Sequence, residues 1–191
     1  MKHYIIPLFI PHDGCPHQCV FCDQRTITGV TDRIGAGEVK TIIDEHRRGI
    51  TLPREVEIAF YGGSFTALPV PRQIELLAAA KTALDSGLVQ FIRISTRPDS
   101  IDEPTIKRLL FYGVSTVELG VQSLDDEVLD LAGRGHDSKC VAAAVEIIKN
   151  NGIKCGIQLM PGLLGEDWKS LIETGTGTVK LRPDFVRVYP T

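Results

Sequence analysis

The sequence predicts an α/β fold: a partial (β/α)6 barrel, TIM-like, with parallel strands inside and helices outside. Three observations carry this expectation. Six short runs rich in branched and aromatic residues alternate with longer stretches of helical periodicity. The 191 residues are 43% hydrophobic and 24% charged, a balance that suits one globular domain with a sizeable core. No repeat, low-complexity stretch or linker divides the chain.

The expected strands are 4–10, 56–61, 91–96, 115–120, 154–159 and 185–189. The first helix is expected over 37–48. A second is expected over 72–86, with Ile74, Leu77, Ala78, Lys81 and Leu84 at helical spacing, Pro71 at the first position and Gly87 as the stop. Residues 104–112 follow a capping Asp102 and end at Gly113. Ser123 and Asp126 have capping-box spacing ahead of Val128 and Leu129. Over 138–151, Val141, Ala144, Val145 and Ile148 share one face, and Gly152 is the stop. Residues 166–174 give a weaker helix. No helical pattern follows the sixth strand, although a parallel strand normally has both faces covered. The expectation is a single domain over 1–191, C-terminally incomplete, cut off after strand six.

Net charge is −3, so no strong basic field points to nucleic acid. No stretch is long and apolar enough for a membrane span, and the start reads as a strand with two prolines rather than a signal peptide. The expected setting is cytoplasmic, with no membrane partner. Five cysteines, an odd number, argue against a disulfide framework.

Three of them, Cys15, Cys19 and Cys22, form a C-x3-C-x2-C run after the first strand, on a loop at the C-terminal end of the strands. Soft thiolates suit zinc, copper(I) or iron–sulfur. A closed zinc site wants a fourth ligand, from His12, His17 or Asp23, and no second C-x2-C exists. Three ligands on a four-iron cluster leave one iron open, and an open position is where chemistry happens. The cluster is the favoured reading. Cys140 and Cys155 are expected to be small core residues.

Other strand ends carry candidate ligand contacts. Gly62 and Gly63 end the second strand, where a glycine pair lets backbone approach a ligand; a plain tight turn is the bland reading. Alternation puts Arg93, Ser95 and Arg97 on one face of the third strand; otherwise Arg97 is a surface charge beside a helix cap. Glu118, Gly120 and Gln122 on the fourth strand, and Gly156, Gln158 and Met160 on the fifth, give a polar or small face suited to a barrel lumen. Arg134-Gly135-His136 is either a solvated turn or a pair facing the substrate.

With Phe21 before its third cysteine, the run resembles the signature of the radical S-adenosylmethionine superfamily. The resemblance implies that Cys15, Cys19 and Cys22 hold a [4Fe-4S] cluster. It implies that the open iron chelates S-adenosylmethionine, which is cleaved to a 5′-deoxyadenosyl radical that takes hydrogen from substrate. It assigns Gly62, Gly63 and Ser64 to the cofactor's amino group, with Ser64 standing where a Glu-like residue is usual. Gly156, Ile157 and Met160 would lie near adenine, and Ser95, Arg97, Gln122 and Gln158 would complete the cofactor site.

Within the superfamily several runs resemble the radical domain of the Elongator catalytic subunit family, the transfer-RNA wobble-uridine modifiers. They include Gly62-Gly63-Ser64-Phe65, Thr96-Arg97-Pro98-Asp99, Arg134-Gly135-His136 and Met160-Pro161-Gly162. The chain departs from that family in its x3 gap between the first two cysteines and in Ser95, where the family has Glu. The expectation is therefore a prokaryotic relative without the acetyltransferase domain. A low-potential electron donor is implied, and transfer RNA enters as a partner by resemblance alone. The sequence does not name a substrate. Rival readings are a zinc-binding scaffold or adaptor, and a fragment that binds a cluster but is catalytically incomplete.

Overall fold

Branched and aromatic residues build six strands: β1 Lys2–Phe9, β2 Arg54–Tyr61, β3 Phe91–Thr96, β4 Val114–Gln122, β5 Lys154–Leu159 and β6 Phe185–Val188. All neighbours pair in parallel, and the sheet order is the chain order, β1 to β6. The computed structural model describes residues 2–10, 14–23, 34–50 and 54–191. His12 lies outside them.

Helices carry the chain back between strands: α1 Ala36–Arg48, α2 Val70–Asp85, α3 Glu103–Phe111, α4 Asp126–Leu131, α5 Ser138–Asn150 and α6 Trp168–Leu181. Their starts follow from local chemistry. Pro71 sits in the first turn of α2. Asp102 and Asp137 accept from the Thr105 and Cys140 amides to cap α3 and α5.

Two expectations about helices need correction. The cap of α4 is Asp125, which accepts from the Glu127 and Val128 amides at 2.9 and 3.3 Å. Ser123 is buried and turned instead toward Thr174 of α6, 3.1 Å away. The weak helix expected over 166–174 runs on to Leu181. Its inward face is Ser170, Thr174 and Thr178, so the apolar periodicity that reveals a helix is missing from the buried side.

The sheet separates two environments. One face gives its alternate residues, including Ile58, Phe60, Ile92, Ile94, Val117, Leu119 and Ile157, to a single apolar core. Leu76, Leu77, Ile106, Leu109, Val141 and Ile148 of the helices share that core. The other face is charged. Glu57 of β2 lies 2.8 Å from Arg93 of β3, which lies 3.2 Å from Glu118 of β4. Glu118 in turn meets Arg187 of β6 at 3.4 Å, and His3 of β1 meets Glu57 at 3.4 Å. Alternating signs let these buried groups neutralise one another. An ion network that links β1 to β6 requires the sheet to curl round them, and the strands form a half-barrel with helices outside.

Candidate functional site

Six strand ends and the cysteine loop meet at a cavity of about 480 Å³. The loop is fixed at both ends of its turn. The Cys22 amide donates to the Cys19 carbonyl at 3.0 Å, and the Val20 amide donates to Ala132, just past α4, at 3.2 Å. Gly14 opens the loop with φ +77, and a Cβ there would meet the Leu68 amide at 2.9 Å, so the loop after β1 and the loop after β2 touch without side chain between them.

Cys15, Cys19 and Cys22 all line the cavity. Burial pushes the Cys15 thiol up, and the neighbouring Cys22 and Cys19 push it the same way, against Arg97 and Arg134. Three thiols gathered on one cavity wall, with the ionisation of Cys15 opposed by its two neighbours, suit a multivalent cationic guest. Among the described residues no three His, Cys, Asp or Glu side chains are gathered closely enough to form a metal cage as they stand. His17 lines the same cavity, but its ring is seated against Gly135.

Of the other expected contacts, Gly62, Gly63, Ser95, Arg97, Gln122, Gln158 and Met160 line the cavity. Ser64 and Gly156 do not. Ser64 is buried behind the glycine pair, its hydroxyl bonded to Thr96 at 3.0 Å and accepting from the Arg97 amide at 3.3 Å. Gly156 lies one step down β5, where the Phe185 ring fills the space a Cβ would take.

Arg97 is not a surface charge. Its buried side chain makes a two-pronged pair with Asp99 at 2.9 and 2.8 Å and donates to the Arg134 carbonyl. Gln122 ends β4 at a register shift with φ +75, an uncommon conformation for a residue with a side chain. Its carbonyl accepts from the Met160 amide at 3.0 Å and its Oε1 from Gln158 at 3.2 Å, which ties β4 to β5 at the cavity.

Arg134 answers the question its motif raised. The chain breaks between α4 and α5, and the break points the guanidinium at Cys19 Sγ, 3.2 Å away. Burial pushes Arg134 down from its ordinary value, and Cys19 pulls it back up. His136 faces away, into a second hollow with Asp99, Asp130 and Cys140. Neither ring nitrogen has a hydrogen-bond partner among the described residues. Burial, then the charges of Arg134 and Arg97, push it down to about 4.

Cys140 lines that second hollow half-buried, so it is not the core residue expected; its place near the start of α5 leaves it at the surface. Cys155 is buried, and its thiol is pushed up to about 12 by burial, then by Asp184. Phe9, Tyr61, Arg187 and Tyr189 also line the main cavity and went unnoticed in the sequence. The alternation of β2 and β6 could have found Tyr61 and Arg187, because each follows an inward-facing residue by an even step.

The family model described as Radical SAM superfamily matches residues 9–175. The chain belongs to the radical SAM superfamily and is an enzyme of it. A tRNA uridine(34) acetyltransferase of Methanocaldococcus jannaschii is 25% identical over 97% of this chain and 42% of its own length. Elongator complex protein 3 of Homo sapiens is 29% identical over 72% of this chain and 29% of its own. The chain thus spans less than half of either relative. The solved Elp3 of Methanocaldococcus infernus shares the fold, with a TM-score of 0.75 at 22% identity, covering all of this chain and 46% of that one. The resemblance to the Elongator radical domain is borne out. Among the described residues, no helix is long and apolar enough to cross a membrane.

Proposed function

We propose that Cys15, Cys19 and Cys22 hold a [4Fe-4S] cluster with one open iron, and that S-adenosylmethionine binds beside it in the cavity. The observation that carries this reading is that the three thiols share one cavity with seven of the nine strand-end residues expected to contact the cofactor. When bound, the cluster supplies the electron that cleaves S-adenosylmethionine to a 5′-deoxyadenosyl radical able to take hydrogen from substrate. The chain's own groups bind and orient. The Gly62-Gly63 backbone offers carbonyls to an ammonium, since the Ser64 hydroxyl is already engaged. Gln122 and Gln158 hold each other at fixed positions on the cavity wall and present amide groups to a ribose or an adenine edge. Gly156 admits the Phe185 ring, which closes the cavity floor and keeps water from below.

Transfer RNA is the substrate class that the names of the curated relatives support, with uridine(34) as the nucleotide. A low-potential donor is needed to reduce the cluster. The test is anaerobic reconstitution with iron and sulfide, then incubation with dithionite and S-adenosylmethionine. The expected product is 5′-deoxyadenosine. Stoichiometric zinc with no iron would overturn the reading.

A further inference from the structure

Resting on the cluster reading above, we propose that Arg134 is a positioning residue that holds Cys19 as a cluster ligand and raises the reduction potential of the bound cluster. The decisive contrast is in how the arginines that point into the sheet interior and cavity are neutralised. Arg93 has Glu57 and Glu118, Arg97 has Asp99, and Arg187 has Glu118. Arg134 is 6% exposed, and among the described residues no carboxylate lies within ion-pair distance of it. Burying a guanidinium is costly unless it meets an anion or hydrogen-bond acceptors. The group it reaches is Cys19 Sγ, at 3.2 Å from one terminal nitrogen.

The side chain is built to stay there. Its second terminal nitrogen donates to the Gly120 carbonyl. The Arg134 amide donates to Leu129 at 3.0 Å, and the Arg134 carbonyl accepts from Arg97. The Phe21 ring lies 6.0 Å from the guanidinium carbon. The Nε–H is buried with no partner, so the guanidinium retains a donor for an incoming anionic group. A thiolate that accepts a charge-assisted hydrogen bond donates less electron density to iron. A fixed cation beside the ligand also favours the state that has gained an electron. Both effects move the potential upward.

The experiment compares wild type, Arg134→Lys and Arg134→Met after anaerobic reconstitution. Iron and sulfide are counted first. One electron is then passed from dithionite to the cluster in a mediated titration without S-adenosylmethionine, followed by electron paramagnetic resonance. Arg134→Met is expected to lower the equilibrium constant for reduction at least tenfold, equal to about 59 mV for one electron. Arg134→Lys keeps the charge and is expected to recover most of that shift. Arg134→Met with full iron and the wild-type potential overturns the proposal, as does Arg134→Lys with a potential as low as that of Arg134→Met. If Arg134→Met binds no cluster, Arg134→Gln replaces it, and a wild-type potential there overturns the proposal. A wild-type protein that takes up no iron fails the cluster reading itself, before any potential is measured, and takes this proposal with it.

Discussion

Arg187 on the last strand donates to the Tyr61 hydroxyl at the end of the second, at 3.4 Å. The two residues are 126 positions apart in the chain. The same guanidinium lies 5.7 Å from the Tyr61 ring centre and 3.4 Å from Glu118. Three strands of sheet, β3 to β5, separate the ends of this bridge, so it helps hold the curvature that turns a flat ribbon of strands into a walled cavity. Without it, the Phe9 and Tyr189 ends of the wall would be free to splay.

The buried charge network should respond to loss of one partner more than to loss of a pair. Arg93→Met leaves Glu57 and Glu118 facing each other without their shared cation, and should cost about 3–5 kcal/mol of stability. The triple variant Glu57→Gln, Arg93→Met, Glu118→Gln should recover part of that loss. Urea unfolding monitored by circular dichroism measures both. Equal stability of Arg93→Met and wild type would show that the network is not the structural centre described.

His136 makes stability depend on pH with a definite sign. Its folded value is about 4, below the ordinary 6.5, so the unfolded chain binds the proton more tightly. The contribution is fully present above about pH 6.5 and is lost as pH falls through the window between 6.5 and 4. One proton sets a ceiling of about 1.4 kcal/mol per pH unit, and partial solvent access lowers it. His136→Phe should flatten the thermal-melting profile across that window. An unchanged slope would assign the pH dependence to other groups.

Alkylation should separate the two cysteines outside the loop. Cys155 is buried with its thiol pushed up to about 12, and should resist iodoacetamide at pH 8 until the chain unfolds. Cys140 is half-buried and should label in the native state, at a slow rate because burial, first, and Asp99 raise its thiol as well. Peptide mass spectrometry reads the two sites separately. Equal rates would contradict the burial difference.

Cys19→Ala should abolish iron uptake and brown colour, whereas Cys155→Ala should keep about four irons per chain, the content of one [4Fe-4S] cluster. Iron and sulfide analysis after reconstitution decides between them. Colour retained by Cys19→Ala would sink the ligand assignment.

The parallel half-barrel was legible because its signals are local. Alternation marked β2 to β5, the capping Asp102 with its stop glycine marked α3, and an apolar face with Gly152 as stop marked α5. The cysteine spacing and the Gly62-Gly63 pair were equally plain, and chain order alone places both at the same end of the sheet. What stayed hidden depends on distance in sequence. Nothing near Arg134 announces that its guanidinium reaches a thiol 115 residues earlier, at Cys19. The pairing of Ser123 with Thr174 misled the cap assignment for the same reason. Helix α6 was shortened because a helix that buries hydroxyls looks, in sequence, like an exposed one.

The strand order of the sheet also has a kinetic meaning. Every strand pairs with the one synthesised just before it, so no pairing waits for a distant segment. The chain can therefore grow as a series of additions, each new strand and its helix docking on a template already in place as synthesis proceeds. The cysteine loop hangs from the first strand and is present from the beginning, but Arg134 arrives only after four strands have been laid down. The cysteine loop is thus synthesised well before the arginine that contacts Cys19. On this account, iron delivered after Arg134 is docked should be taken up more completely than iron supplied to a chain still being built.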